Sequence, residues 1–223
     1  MLVHPWDAAR DEREWRDFVT AQGFGHLIAT GRDRAYPVVV PTQFSLVGDE
    51  VWLHLARPNP VWAALAERAA ATLSIAGDWS YIPSDWNADP SAPARTGVPT
   101  TYYGAVQLHG EVTVVDDADG KVQILRRQLA GLQAHVPMDD PTTHPRLLPG
   151  IRGIRLAVLD VRAKFKYGGN KTAGVRRGIA TRLSERRGPG DASARAHLLE
   201  RLAAEPAPTA IRDPAADTDR PIR

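Results

Sequence analysis

The sequence predicts an α+β fold built on a closed or nearly closed antiparallel β-barrel. Five or six segments have strand character, and the early ones are joined by short connections. The helical segments stand between strands without alternating with them strictly, which disfavours a parallel doubly wound sheet. With 43% hydrophobic and 24% charged residues, the 223-residue chain has an ordinary globular composition and can bury a core.

The first half of the chain is predicted to contain an opening helix followed by four strands. Trp15, Phe18 and Val19 lie at helical spacing behind an acidic start, which predicts an amphipathic helix over residues 11–22. Turn-forming residues between the first three strands favour antiparallel hairpins. The strands are predicted over residues 24–30, 36–46, 51–56 and 72–82, with a short helix over residues 60–68.

The second half of the chain begins with an aperiodic segment, residues 83–99, which is predicted to be a loop with a functional or covering role. Polar and apolar residues then alternate from Ala105 to Val112, as expected for a sheet with one wet side. Strands are predicted over residues 101–115 and 152–166, with a helix over about 122–132 and a proline-rich link over 137–149 between them.

The predicted organisation is one barrel domain over residues 1–187, a C-terminal helix over 188–205 and a tail over 206–223. Glycines and a proline at residues 188–190 mark the break before the helix. The tail is rich in Pro, Ala, Asp and Arg and has little to bury, so it is expected to be disordered.

Composition and charge exclude several classes of function. The chain has 28 Lys and Arg against 26 Asp and Glu, and this small excess gives little reason to expect nucleic-acid binding. The arginine-rich segment near residues 177–187 is better explained as a solvated helix face than as a phosphate-binding surface. There is no cysteine, so disulfides and thiolate-ligated metals are excluded and any metal must rest on His or carboxylate.

The sequence contains no secretory signal pattern and no apolar run long enough to span a membrane, which predicts a soluble cytoplasmic protein. Glycine-rich nucleotide-binding loops, the serine-hydrolase elbow and the zinc-protease motif are also absent from the sequence.

The first candidate site is the segment HLARPNP, residues 54–60. His54 near a strand end, followed by Arg57 and by two prolines around Asn59, places an imidazole and a guanidinium at a stiff corner. An imidazole can ligate haem iron or hydrogen-bond a ring cofactor, and a guanidinium can pair with a phosphate, a propionate or a carboxylate. The alternative is that His54 caps a strand and Arg57 is solvated.

Two further segments offer polar groups. Thr100, Thr101, Tyr102 and Tyr103 enter the long strand at a rim and would present hydroxyls there, although Thr and Tyr are also simply good strand formers. In KFKYGGNKT, residues 164–172, two glycines allow a close approach to a ligand or a tight turn, and Asn170 and Lys171 supply donors beside it.

Read in order, these segments resemble the PaiB-type family, described as FMN-binding negative transcriptional regulators with a split-barrel fold. The likeness covers roughly residues 1–183 and implies a homodimer with cofactor sites at the subunit interface. The matching residues are His54, Ala56, Asn59, Pro60 and Trp62, together with YIPSDW at 81–86, VPT at 98–100 and KFK at 164–166.

The departures from that pattern are similar to a haem-dependent branch of the same family, the piperazate synthases. Thr101 and Tyr102 stand where the usual family has Trp-Asn, and the segment 166–171 reads KYGGNK where the family has Lys-Leu-Ser-Gln-Asn-Arg. The resemblance implies a haem b enzyme that cyclises N5-hydroxy-L-ornithine to L-piperazate with loss of water. An FMN-binding regulator or flavin oxidoreductase, with Arg57 and Lys171 at the FMN phosphate, is the alternative.

The resemblance also implies roles for individual residues. His54 is the expected proximal iron ligand, with His109 as its rival, and Arg57 or Lys171 would hold a haem propionate or the carboxylate of the amino-acid substrate. Tyr102 and Tyr103 would hydrogen-bond the hydroxylamine oxygen or relay a proton. The remaining expected cofactor contacts are Asn59, Thr100, Lys166 and Asn170, and Lys164 is a weaker candidate.

Overall fold

The computed structural model describes residues 1–32, 34–88, 92–132 and 136–205. The tail expected to be disordered, residues 206–223, lies outside the described residues. Within them no helix is both long and apolar enough to cross a membrane.

Among the described residues, seven antiparallel strands form one sheet in the order β2-β1-β5-β6-β7-β4-β3, one or two strands more than the sequence predicts. Leucines from five of the strands, Leu27, Leu53, Leu73, Leu108 and Leu156, are fully buried inside it. The strands are β1 (Phe24–Ala29), β2 (Val38–Gln43), β3 (Ser45–Val47), β4 (Glu50–Ala56), β5 (Ala70–Ile82), β6 (Thr100–Val115) and β7 (Ile151–Lys166).

Phe44 corrects the prediction of a single strand over residues 36–46. Its buried side chain separates β2 from β3, and these two strands form opposite edges of the sheet. Because one residue cannot span a flat seven-stranded sheet, the sheet must curl until its edges meet. This geometry agrees with the predicted barrel.

The two longest strands, β6 and β7, run the length of the barrel and fix its two ends. Tyr103 pairs with Lys166 at one end, and Val115 pairs with Gly153 at the other. On β6 the residues from Tyr102 to Val112 alternate between buried and less buried positions, as the sequence predicts.

Six α-helices accompany the sheet in the part of the chain that the structure describes. Helix α1 is capped by Asp11, whose side chain accepts from the Glu14 N–H at 2.8 Å. Helix α3 lies inside the segment 83–99, so this segment is only partly the loop that the sequence predicts. The helices are α1 (Glu12–Gln22), α2 (Val61–Glu67), α3 (Ser84–Asn87), α4 (Ala118–Leu132), α5 (Ala173–Arg186) and α6 (Asp191–Ala203).

Arg186 fastens the C-terminal helices to the barrel, and Arg176 on α5 joins this helix to the end of the chain segment that follows α6. Arg186 pairs with the buried carboxylate of Asp191, which also accepts from the Ser80 hydroxyl of β5 at 2.7 Å. Arg176 is buried and pairs with Glu205. The solvated helix face predicted near residues 177–187 holds for Arg177, Arg182 and Arg187, which are exposed; Arg186 is also exposed, but its guanidinium is held by Asp191.

Candidate functional site

A cavity of about 440 Å3 lies at the end of the barrel where β6 begins and β7 ends. Its volume is within the usual range for a small-molecule site. Lys164 and Lys166 of β7 and Lys171 of the following turn line it, and we term it the lysine cavity. The chain has only four lysines among its 28 Lys and Arg residues, so three of the four meet here.

The turn after β7 shapes one wall of the lysine cavity. Gly168 has φ +75°, and a Cβ at this position would overlap the Tyr102 hydroxyl. Only glycine avoids both the strain of a positive φ and the overlap with Tyr102. The Lys171 N–H closes the turn on the Gly168 carbonyl at 2.9 Å, which presents Asn170 and Lys171 to the cavity.

Two buried polar atoms on the cavity wall have no hydrogen-bond partner among the described residues: the Tyr102 hydroxyl and Asn87 Oδ1. Tyr102 is 1% exposed and Asn87 is 7% exposed. Asn87 is held in place because its Nδ2 donates to the Val98 carbonyl at 2.6 Å. An unsatisfied buried polar group costs ~1–3 kcal/mol, so these two atoms point to a bound ligand that forms the missing hydrogen bonds.

Asp7, like Asn87, is a polar residue of the lysine cavity that sequence reasoning missed. It ends a 3-10 turn, Pro5–Asp7, and is only 4% exposed. Burial raises the pKa of its carboxyl group, against the opposing charges of Lys164 and Lys166. No local pattern could have identified it, because its surroundings arise from pairing of Ala8 with Lys164 across the whole chain.

His54 lies on the face of β4 that α4 covers, opposite the core residue Leu53. Its Nδ1 is 2.6 Å from Gln128 Oε1, and Gln128 Nε2 donates to the Gln43 carbonyl at 3.3 Å. This chain of bonds orients the amide so that its oxygen accepts from Nδ1–H, which leaves the lone pair of Nε2 free. Metal-binding histidines are commonly held this way.

The other two residues of the first candidate segment are engaged within the protein. Arg57 pairs with Asp116 and donates to the Pro149 carbonyl at 2.6 Å. Its hydrogen bonds lower the pKa of Asp116 to about 2. Asn59 Oδ1 accepts from the Val61 N–H at 3.0 Å, at the start of α2.

His109 and Tyr103 lie on β6 outside the lysine cavity. His109 Nδ1 is 2.8 Å from the Thr72 hydroxyl, midway along the strand. The Tyr103 ring centroid is 5.9 Å from Lys164 Nζ, so this side chain approaches a cavity lysine from outside the cavity lining.

The expected site residues thus divide between the two ends of the barrel. The lysine cavity brings together Thr100, Tyr102, Lys166, Asn170 and Lys171. His54 pairs with Gly153, thirteen residues before Lys166 on β7, which is on the order of 40 Å along a strand. His54 is therefore not among the residues that line the lysine cavity of the same chain.

Comparison with known proteins gives a family match over most of the chain. The family described as "Putative FMN-binding domain" matches residues 1–160. Protease synthase and sporulation protein PAI 2 from Bacillus subtilis (strain 168) is 25% identical over 210 residues, which is 90% of this chain and 97% of that protein.

Solved structures with a similar fold include two whose descriptions mention flavin or haem. The FAD and haem binding protein from Mycobacterium smegmatis is 20% identical, has a TM-score of 0.57, and matches 78% of this chain and 80% of that chain. A flavocytochrome from Azotobacter vinelandii is 20% identical, has a TM-score of 0.53, and matches 73% of this chain and 71% of that chain. At these identities the likeness shows the split-barrel fold alone.

Proposed function

Since the chain belongs to this FMN-binding domain family and folds as its α+β split barrel, we propose that it is a haem-dependent member that cyclises N5-hydroxy-L-ornithine to L-piperazate. The observation that carries the proposal is the Gln128-held imidazole of His54, whose Nε2 would be free to hold the iron of a haem. The departures from the PaiB-type pattern at Thr101, Tyr102 and residues 166–171 point to the same branch.

We propose that the site is shared between two copies of the chain. One protomer supplies His54, and its partner supplies the lysine cavity. The separation of these two groups within one chain supports this arrangement, since a homodimer is the simplest assembly that brings opposite ends of a barrel together.

The residues present fit haem in the following way. His54 would hold the iron through Nε2, while Nδ1 keeps its bond to Gln128. The lysines are suited to carboxylates, either of a propionate or of the substrate, because each is a compact cation with three donors. When bound, a ferric haem supplies Lewis-acid polarisation of the N–O bond, which makes N5 electrophilic.

The reaction has no net redox change. The N–N bond forms between the α-nitrogen and N5 as the N5–O bond breaks, and the departing hydroxide takes a proton from the α-nitrogen and leaves as water. The chain must therefore hold the flexible substrate folded, exclude competing water and keep the α-nitrogen unprotonated. Ordering of this kind supplies several kcal/mol in intramolecular reactions, up to ~7–11 kcal/mol in the best cases. Tyr102 would hydrogen-bond the hydroxylamine oxygen, a role supported by its hydroxyl having no partner among the described residues.

FMN binding, in a flavin oxidoreductase or a PaiB-like regulator, is the second candidate function. It is favoured by the family match and by the lysine cavity, whose three cations also suit a phosphate. This candidate requires no iron ligand at His54. A flavin spectrum in the protein as purified, with no response to hemin, would favour it.

The test of the proposal is a hemin titration of the purified protein followed by incubation with N5-hydroxy-L-ornithine and mass analysis. We expect a saturable Soret band at one haem per protomer and a product lighter by one water. His54→Ala should abolish the band, whereas His109→Ala should retain it. A folded protein that binds no hemin, or equal haem binding by the His54→Ala variant, would overturn the proposal.

A further inference from the structure

The polar groups of the lysine cavity are arranged for a ligand that carries both an anion and a nitrogen donor. Lys166 and Lys171 offer cationic donors, and Lys171 Nζ makes only a long bond of 3.4 Å to the Asn87 carbonyl. Asn87 Oδ1 can only accept and has no partner among the described residues. A lone phosphate or carboxylate would satisfy the lysines and leave the Asn87 oxygen buried without a donor.

Asp7 adds a second acceptor on the same cavity. Asp7 is nearly buried, and its backbone N–H already donates to the His4 carbonyl at 2.9 Å. Lys164 Nζ donates to the Leu2 carbonyl at 3.0 Å, so part of its donor capacity is already used. A positively charged nitrogen donor is therefore the natural partner for this carboxylate and for Asn87 Oδ1 together.

We propose that the lysine cavity binds the zwitterionic head of an L-α-amino acid, with the carboxylate on Lys166 and Lys171 and the ammonium on Asp7 and Asn87 Oδ1. Asp7 then accepts one proton from the ammonium, which gives a neutral α-amine and a neutral carboxylic acid. The proposal deepens the proposed function, because a neutral α-amine is the nucleophile that this cyclisation needs.

Burial favours that proton transfer. It raises the pKa of the Asp7 carboxyl group, and the transfer replaces a buried carboxylate and a buried ammonium by two neutral groups. The cavity lysines disfavour the charged form of the ammonium but favour the charged form of Asp7, so burial is the effect that moves the proton from the ligand to the protein. After cyclisation Asp7 returns its proton to the departing product or to solvent, so the cycle balances. The charged or titratable groups that face Asp7 are His4, Lys164, Lys166, Arg201 and Tyr102.

Calorimetric titration of the full-length purified protein with L-ornithine and two truncated ligands tests the binding. We expect saturable binding of L-ornithine, and ~10- to 100-fold weaker binding of both 5-aminopentanoate, which lacks the α-ammonium, and 1,4-diaminobutane, which lacks the carboxylate. Equal binding of 5-aminopentanoate would overturn the role of Asp7 and Asn87. Equal binding of 1,4-diaminobutane would overturn the role of the lysines, and absence of L-ornithine binding would overturn the whole proposal.

Three variants test which residues bind L-ornithine. Asp7→Asn and Lys166→Met should each weaken L-ornithine binding ~10- to 100-fold. Asp17→Asn, which changes an exposed carboxylate on α1, should leave it unchanged. If Asp7→Asn binds L-ornithine as the wild type does, the assignment fails.

The proton-accepting role has its own measurement. In the hemin-loaded enzyme, Asp7→Asn should lower kcat more than it raises KM and should remove the acidic limb of the pH profile, since this limb reports the base.

Failure of this inference can be told apart from failure of the proposed function. If cyclisation occurs but Asp7→Asn leaves the pH profile intact, the inference is wrong and the function stands. If L-ornithine binds as expected but no haem is taken up, the function is wrong and the amino-acid site stands.

Discussion

The bond between His54 and Gln128 makes a quantitative prediction about haem affinity. Gln128 is 5% exposed on α4, and its oxygen is the acceptor for His54 Nδ1–H. Gln128→Leu fills a similar volume but leaves this donor without an acceptor and the imidazole without its orienting contact. Loss of such an outer contact typically lowers metal affinity 10- to 100-fold, or ~1.4–2.7 kcal/mol.

The assay is a hemin titration followed by the Soret band, with wild type, Gln128→Leu and Gln128→Glu compared. Gln128→Glu retains an oxygen acceptor and should bind hemin at least as well as the wild type. Gln123→Leu on the same helix is the matched control. It removes an exposed hydrogen bond to Arg155 and should leave hemin affinity unchanged. Equal hemin affinity of Gln128→Leu and wild type would refute the reasoning, as would equal losses in the leucine and glutamate variants.

Three further predictions concern stability. Gly168→Ala should lower the free energy of unfolding by ~1–3 kcal/mol because of its positive φ and its overlap with Tyr102, whereas Gly178→Ala on α5, where the added Cβ meets nothing, should raise it by ~0.5–1 kcal/mol; urea unfolding measures both. Hydrogen bonds from Arg186 and Ser80 lower the pKa of Asp191 to about 2, so its contribution is present above an unfolded pKa of ~4 and is lost as the pH falls towards 2. Asp191→Asn should therefore be less stable than wild type near neutral pH, and this difference should shrink on acidification; a constant difference would contradict the assignment. Burial raises the pKa of Tyr102 to about 12, so the folded state holds its proton more tightly and stability should fall as the pH rises from ~10 towards 12. Tyr102→Phe should reduce this alkaline loss in urea unfolding, and an unchanged loss would contradict it.

The barrel could be predicted from the sequence because its strands follow simple rules. Alternation along β6 and the turn residues between early strands are local signals, and the structure repeats them. The break at Phe44 was missed because its cause is not local. The break arises where the two edges of the sheet meet, and no sequence pattern within residues 36–46 indicates that the edges come together there.

The candidate site could be predicted only in part for a related reason. Lys166, Asn170 and Lys171 are close in the chain, and Tyr102 joins them because the register pairs Tyr103 with Lys166. His54 is also on a strand that pairs with β7, but at its far end. Which end of a long strand a residue meets depends on register, and that could not be read from the motifs.

Asp7 shows a second limit of sequence reasoning. A single aspartate after a tryptophan near the N-terminus carries no pattern. Its chemical importance comes from burial beside Lys164 and Lys166, which tertiary packing alone creates. Buried carboxylates with displaced pKa values are recognisable in a structure and not in a sequence.

Mixed dimers give the most direct test of a haem site shared between protomers. His54→Ala and Lys166→Met would be co-expressed with different affinity tags, and the purified heterodimer loaded with hemin and assayed for conversion of N5-hydroxy-L-ornithine. Each homodimer should be inactive or nearly so, and the heterodimer should recover about half of the wild-type rate because one of its two sites then has both His54 and Lys166 intact. A heterodimer as inactive as its two parents would contradict the account.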